Sequence, residues 1–451
     1  MIGAIQSQTD NNQKSSQTPY TSEIMTSAPP GTDGNRRNNN TEKSLPITYS
    51  DIEQARERLD DETVVKSTPV EISTSLGDLV DAEVYLKMEH LQWTGSFKTR
   101  GAYNKISQAV RTGAETFIAA SAGNHAQGVA LAATKCDADA TIYMPESAPQ
   151  AKVDATRSYG ATVRLIGTDF QETMAHAKEA VEETDAEFVH AYDDIDIIAG
   201  QGTLGIEMYH DKPDADTVIV PIGGGGLISG VSTAIKHLSP STRVIGVQAT
   251  GAETVHESLD KGIPVTLDEV DTIADGIATG GISERTLQLI ESHVDEVVTV
   301  SDTEIARAIL LLMKRAKQVV EGAGAASVAA LLSDTVDVRG ETVMPLLCGG
   351  NLDMTGLQTV LVHALTQRRQ RIRLRVRIND RPGKMADISG IIADQRANIH
   401  NVRHDRSVAD LAVGEAYLVF TVEASGAEHA ATIVDAIESA GYPVQDVTRS
   451  A

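Results

Sequence analysis

Two cysteines in 451 residues are too few for a disulfide framework, and Cys136 and Cys348 stand in no metal-ligand spacing. A reducing compartment fits, and no metal is expected. No apolar run approaches the roughly 18 residues that cross a bilayer. The opening residues lack the short apolar core of a secretion signal and lack an arginine-rich amphipathic pattern. These absences predict a cytoplasmic protein without a membrane partner. Positive charge is scarce too: 39 basic residues, 15 of them lysine, face 63 acidic ones, for a formal net charge of −24. Nucleic-acid phosphates need basic surface, so no nucleic-acid partner is expected. A surface this acidic suits concentrated salt, where counterions screen self-repulsion.

What is present is ordered in blocks. The length favours two or three domains. Residues 1–44 are polar, rich in Asn, Ser and Thr, and without hydrophobic periodicity, which predicts a disordered extension. Residues 51–59 read as the first helix, with Ser50 as its N-cap. From about 80 to 350, apolar runs at 117–120, 140–144, 162–166, 218–222, 244–247, 297–300 and 343–347 read as strands. Helix-like stretches such as 150–159, 170–183 and 303–320 lie between them. That alternation predicts parallel sheets covered by helices on both faces, in two α/β layers across a cleft, with ligands beyond the carboxyl ends of the strands. Near residue 370 the texture changes. Arg371-Ile-Arg-Leu-Arg-Val-Arg-Ile378 alternates basic and apolar residues, as a strand with one wet face does. The order βαββαβ follows, with a helix to about 397, strands near 399–404 and 416–422, and a helix near 427–439. This is the pattern of a small ferredoxin-like domain.

Four segments of the central region could carry chemistry. In Trp93-Thr-Gly-Ser-Phe-Lys98-Thr-Arg-Gly101, Lys98 follows an aromatic residue and precedes a helix. A lysine that bonds covalently to an aldehyde must be partly desolvated, so that the free amine exists. Alone, it reads more readily as a solvated surface lysine, as most lysines are. Ser121-Ala-Gly-Asn-His-Ala-Gln-Gly128 lies between a strand and a helix, where backbone amides can hold a carboxylate. There Asn124 can donate to a phenolate oxygen, and His125 reads as a packed residue rather than a base. Pro221-Ile-Gly-Gly-Gly-Gly-Leu227 offers successive bare amides to an anion, the arrangement of a phosphate nest. No lysine follows at P-loop spacing, and the glycines do not fit the dinucleotide fingerprint. Lastly, Leu346-Leu-Cys-Gly-Gly-Asn351 brings Cys348 to a strand end, either as a weak hydrogen-bond partner to a ring nitrogen or as a buried apolar thiol.

In this order the four segments resemble one family, the fold-type II pyridoxal-phosphate enzymes, and within them the threonine/serine dehydratases, from about residue 45 to 367. The resemblance implies two facing three-layer αβα domains of mostly parallel sheet, the tryptophan synthase β-like arrangement, with a small subdomain of about 90–188 inserted in the large one. It implies pyridoxal 5'-phosphate as cofactor, with Lys98 as the Schiff-base lysine and Phe97 packed on the ring. Asn124 would bond the ring hydroxyl. Gly223, Gly224, Gly225, Gly226 and Leu227 would hold the phosphate, and Cys348 would face the ring nitrogen. Ser121, Ala122, Gly123, Asn124 and His125 would grip the substrate carboxylate, and Glu321 matches a family glutamate near the cofactor. The implied reaction is dehydration and deamination of L-threonine to 2-oxobutanoate and ammonia, with L-serine going to pyruvate. Dehydration of serine or hydroxyaspartate and β-replacement use the same scaffold, and an inactive amino-acid sensor is the reading from another class. Two positions depart from the related serine racemases: Ala122 stands where they carry a serine, and Gln248 where a metal-binding glutamate is expected. Residues 371–451 resemble an ACT domain through Asp380-Arg-Pro-Gly383, which implies either an amino-acid effector near Asp380 and Gly383 or a domain that only assists oligomerisation. A small amino-acid substrate and a homodimer or homotetramer complete the expectation.

Overall fold

The computed structural model describes residues 44–448, so the expectation for residues 1–44 falls almost wholly outside the described part of the chain. Three sheets organise the rest. The largest has six strands in the order Val70–Ile72, Glu83–Lys87, Thr342–Pro345, Thr217–Pro221, Arg243–Ala249, Glu296–Val300. Only its first pair is antiparallel. A second sheet, wholly parallel, runs Thr162–Leu165, Asp139–Met144, Thr116–Ala120, Glu187–Phe188. Its strands fall in sequence between Glu83–Lys87 and Thr217–Pro221 of the large sheet.

The apolar runs became strands because helices cover both faces of these two sheets. Every residue of Thr217–Pro221 is buried, and such a strand must read as a continuous apolar run rather than an alternating one. Each run has a strand within one or two residues of the expected bounds. Three strands carry no such signal. Glu187–Phe188 is only two residues long, and Val70–Ile72 only three, at the sheet edge. Glu83–Lys87 ends on a lysine that is fully buried, its ammonium donating to Thr68 O, Glu207 and Asp211 at 2.7, 3.0 and 2.8 Å.

Two helix expectations are corrected. The first helix is Tyr49–Arg58 with Thr48, not Ser50, as its N-cap; the Asp51 carboxylate accepts from the Thr48 amide and hydroxyl. The stretch 303–320 is not one helix. Asp302–Leu311 is α-helical, Leu312–Ala316 widens into a π-helical turn, and Lys317 leaves with φ +61°. This break carries Gln318 to His90 Nε2, 3.0 Å away.

The third sheet is antiparallel, in the order Asn398–Asp405, Glu415–Glu423, Arg371–Asn379, Val444–Asp446, with helices Lys384–Asp394 and Ala427–Ser439. Alternation is realised strictly here. Ile372, Leu374, Val376 and Ile378 are buried against both helices, while the intervening arginines stay half-buried on the other face. Among the described residues no helix is long and apolar enough to cross a membrane.

Candidate active site

The four chemistry-bearing segments all follow carboxyl ends of parallel strands or the helices beside them. Lys98 is the first residue of helix Lys98–Arg111. That helix lies tight against two others. A Cβ at Gly101 would sit 2.7 Å from Ile197 O, and one at Gly128 would sit 3.0 Å from the Lys98 carbonyl carbon. The glycines therefore let helices Ile195–Asp211 and Asn124–Lys135 close around the lysine. Lys98 Nζ donates to Ala191 O at 2.9 Å and lies 5.2 Å from the centre of the Phe97 ring. The residue as a whole is half-buried, but its ammonium sits deep. Burial lowers its pKa to about 8, against the opposing pull of Cys348 and Glu321.

The strand Thr116–Ala120 feeds Ser121, Ala122 and Gly123 into the helix that begins at Asn124. Gly123 is the N-cap, and its amide donates to Ser121 Oγ at 3.1 Å. No atom lies within 4 Å of where a Gly123 Cβ would stand, so the helix start opens onto free space. His125 is buried with Nε2 2.9 Å from Val189 O. Burial and the Lys98 charge lower its pKa to about 3. It is a packed neutral imidazole, in line with the reading from sequence.

The tetraglycine turn joins strand Thr217–Pro221 to helix Gly226–Leu238. Gly225 has φ +90°, and Thr286 Oγ1 donates to Gly224 O at 3.0 Å. A Cβ on Gly224 would enter the Tyr192 ring at 2.3 Å, and one on Gly223 would meet Ile277 at 3.1 Å. Only bare backbone fits, and the successive amides there stand at the positive N-terminal end of the helix. Leu227 is buried in the large core.

Cys348 is buried, and burial pushes its thiol well above the ordinary range, so it stays neutral. Glu321 begins helix Gly322–Leu331 as its N-cap. Its Oε1 accepts from Asn124 Nδ2 at 2.8 Å, and burial raises its pKa to about 7 although the Asn124 bond acts the other way. Its carboxylate fills the space left by two glycines: a Cβ at Gly349 would be 2.1 Å from Oε1, and one at Gly276 2.8 Å.

The structure thus draws together Lys98, Phe97, Asn124, Glu321 and Cys348, linked by the contacts and charges above. Three participants escaped the sequence reading. Ala191 and Tyr192 run from Lys98 to the glycine turn, after a strand too short to notice. Asn351 donates to both Thr94 O and Asn124 Oδ1, at 2.6 and 2.8 Å.

These residues suit pyridoxal phosphate. They supply a desolvated amine, an uncharged thiol and a helix-start turn that admits no side chain. The buried hydroxyls of Ser96 and Thr279 have no partner among the described residues. Metal binding finds no comparable support. Gln248 Oε1 accepts from the amides of Thr254 and Val255, and its Nε2 donates to Ala252 O. Among the described residues no group of three or more His, Cys, Asp or Glu is arranged to hold an ion. An acid-lined groove of about 1010 Å³ along Glu253, Glu257, Asp260 and Glu269 contains none of the site residues. In the third sheet's domain, Asp380 accepts from Arg406 Nε at 2.6 Å, a bond that lowers its pKa, and His404 lies 3.3 Å away. Gly383, at φ +92°, has open space on its Cβ side.

Comparison with known proteins agrees with this architecture. Residues 62–349 match the family described as pyridoxal-phosphate dependent enzyme, and residues 366–449 match the ACT domain. An L-threonine ammonia-lyase of Thermotoga maritima is 42% identical over 402 residues, which is 89% of this chain and 100% of that protein. The processed form of threonine deaminase isoform 2 from Solanum lycopersicum superposes with a TM-score of 0.67 at 35% identity, covering 70% of this chain and 94% of that one. Maize serine racemase gives the same TM-score at 33% identity, covering 72% and 99%.

Proposed function

Because the chain belongs to the pyridoxal-phosphate dependent enzymes, with an ACT domain following the enzyme body, we infer that it is a carbon–nitrogen lyase converting L-threonine to 2-oxobutanoate and ammonia. L-Serine, one methyl group smaller, would give pyruvate by the same steps. The observation that carries this reading is Lys98, an amine brought to about 8 by burial and set beside a turn built only of glycine.

In this reading Lys98 would hold the cofactor, and its amine would be freed once substrate is bound. Lys98 then takes the Cα proton as a free base. Phe97 would pack on the ring, Asn124 would donate to its hydroxyl oxygen, and Cys348 would stand at its nitrogen. Gly223, Gly224, Gly225, Gly226 and Leu227 would hold the phosphate. Ser121, Ala122, Gly123 and Asn124 bind the substrate carboxylate through the open helix start, with His125 packing the loop from behind. When bound, the cofactor would supply an electron sink for the negative charge left at Cα and an acidic phosphate for the β-hydroxyl. A neutral Cys348 would give the ring nitrogen no charged partner. The released enamine hydrolyses in water to the 2-oxo acid and ammonia.

We also propose an enzyme body of residues 45–367 and a regulatory domain of 371–451 that binds an amino-acid effector near Asp380 and Gly383. A homodimer or homotetramer working in the cytoplasm completes the proposal. The test of the central reading is direct. Purified protein with pyridoxal phosphate and L-threonine should form 2-oxobutanoate and ammonia in equal amounts. Lys98→Ala should remove both turnover and the visible absorbance of bound cofactor; a variant that retains both overturns the assignment.

A further inference from the structure

A side-chain carboxamide can offer either an N–H or an oxygen, and its two ends have nearly the same shape. In this site the choice for Asn124 is made by the backbone at some distance. Thr94 O can only accept. Asn351 Nδ2 donates to it at 2.6 Å, so the second hydrogen of the same nitrogen points to Asn124, whose facing atom, at 2.8 Å, must be Oδ1. Asn124 Nδ2 is thereby turned to Glu321 Oε1 at 2.8 Å. The polarity runs one way, from the Thr94 carbonyl through Asn351 and Asn124 to Glu321. Reversing it would press Asn351 Oδ1 against Thr94 O, oxygen against oxygen.

Geometry holds Asn351 where it can act. Gly350 N donates to Gly95 O at 2.8 Å, and a Cβ at Gly95, whose φ is +71°, would lie 2.4 Å from Asn351 Oδ1. Any side chain at Gly95 would expel the amide. The segment 94–96 leads directly to Lys98, and 349–351 follows Cys348, so this junction ties together both flanks of the site. Asn124 Nδ2 keeps a second hydrogen that has no acceptor among the described residues.

Building on the cofactor reading above, we propose that Asn351 is a positioning residue. It locks the Asn124 carboxamide so that an N–H, and not an oxygen, is presented to the phenolic oxygen of the cofactor ring. A donor at that point favours the ionised oxygen; an acceptor would oppose it.

The experiment titrates the full-length apoprotein with pyridoxal phosphate, reading the dissociation constant and the pH midpoint of the cofactor's visible absorbance. Variants are Asn351→Ala, the near-isosteric Asn351→Asp, which cannot donate, and each in an Asn124→Ala background. Asn351→Ala and Asn351→Asp should weaken cofactor binding about tenfold, the scale of one lost hydrogen bond, and move the absorbance midpoint. In the Asn124→Ala background both effects should vanish, because Asn351 acts only through that amide. If Asn351→Ala costs as much without the Asn124 amide as with it, Asn351 is mere scaffolding and the proposal falls. Asn351→Asp keeps the side-chain volume, so the comparison survives a folding defect in the alanine variant. If Asn124→Ala alone changes neither binding nor spectrum, the role given to Asn124 fails and takes this inference with it, whereas a parent protein that binds no pyridoxal phosphate at all would sink the cofactor reading.

Discussion

At Lys98 burial and charge act in opposite directions, and burial prevails. An amine with a pKa of about 8 is roughly one-tenth free base at pH 7, against less than a thousandth for an ordinary lysine. Below that pKa the ammonium has no lone pair to offer. Capture of pyridoxal phosphate by the apoprotein should therefore speed up about tenfold per pH unit below about 8 and flatten above it. Stopped-flow absorbance measures this, and a rate still climbing steeply at pH 10 would contradict the lowered pKa. Ala122 gives a second prediction. It sits in the loop before Asn124, and its methyl group cannot move a proton. Ala122→Ser puts a hydroxyl where the resemblance to serine racemases implies one, so D-serine should form from L-serine above the parent level. Chiral chromatography after prolonged incubation would detect it, and its complete absence would count against a proton transfer on that side. Lys98, Asn124 and Cys348 were legible in sequence because each stands in a short motif beside a strand or helix end. Asn351 was not, because its contact with Asn124 spans 227 positions of chain. Tyr192 was hidden in the same way: what marks it is the Gly224 backbone pressed against its ring.

Among the elements, the tetraglycine turn states its requirement most plainly. Gly225 lies at φ +90°, where any other L-residue is strained by about 1–2 kcal/mol, and a Cβ there would stand 2.7 Å from Thr286 Cβ. Thr286 cannot retreat freely, since its hydroxyl donates to Gly224 O. Gly225→Ala should therefore cost about 2 kcal/mol or more of stability by chemical denaturation and should also weaken cofactor binding. A loss below about 0.5 kcal/mol would show that the turn relaxes easily. The same reasoning explains which elements the sequence revealed. Strands walled in by helices read as apolar runs, so the runs at 218–222 and 244–247 made Thr217–Pro221 and Arg243–Ala249 plain. Glu83–Lys87 was not, because the partners that make Lys87 tolerable inside, Glu207 and Asp211, come from a helix 120 residues later. Helix periodicity likewise continues through residues 312–316 although the backbone there widens into a π turn, and side-chain pattern does not report that change.

Over the whole molecule the charge is unevenly spread. Residues 371–451 hold 10 of the 39 basic and 11 of the 63 acidic residues, so the negative excess lies almost entirely in the other 370. The two parts should then respond differently to salt. In dilute buffer the preceding residues repel one another over a Debye length of about 10 Å at 0.1 M, which shrinks to about 3 Å at 1 M. Screening should raise the unfolding temperature of the enzyme body steeply up to about 1 M potassium chloride and little beyond, while the nearly neutral terminal domain should respond weakly. Calorimetry on the full chain measures this, with far-UV circular dichroism following the transitions. Ion identity separates screening from preferential exclusion. Screening depends on ionic strength alone, so chloride and sulfate should act alike at matched ionic strength, whereas exclusion favours sulfate strongly. An unfolding temperature indifferent to salt would mean that the surplus carboxylates are already neutralised, by pairing or by protons, and that adaptation to concentrated salt is not what the acidic surface serves.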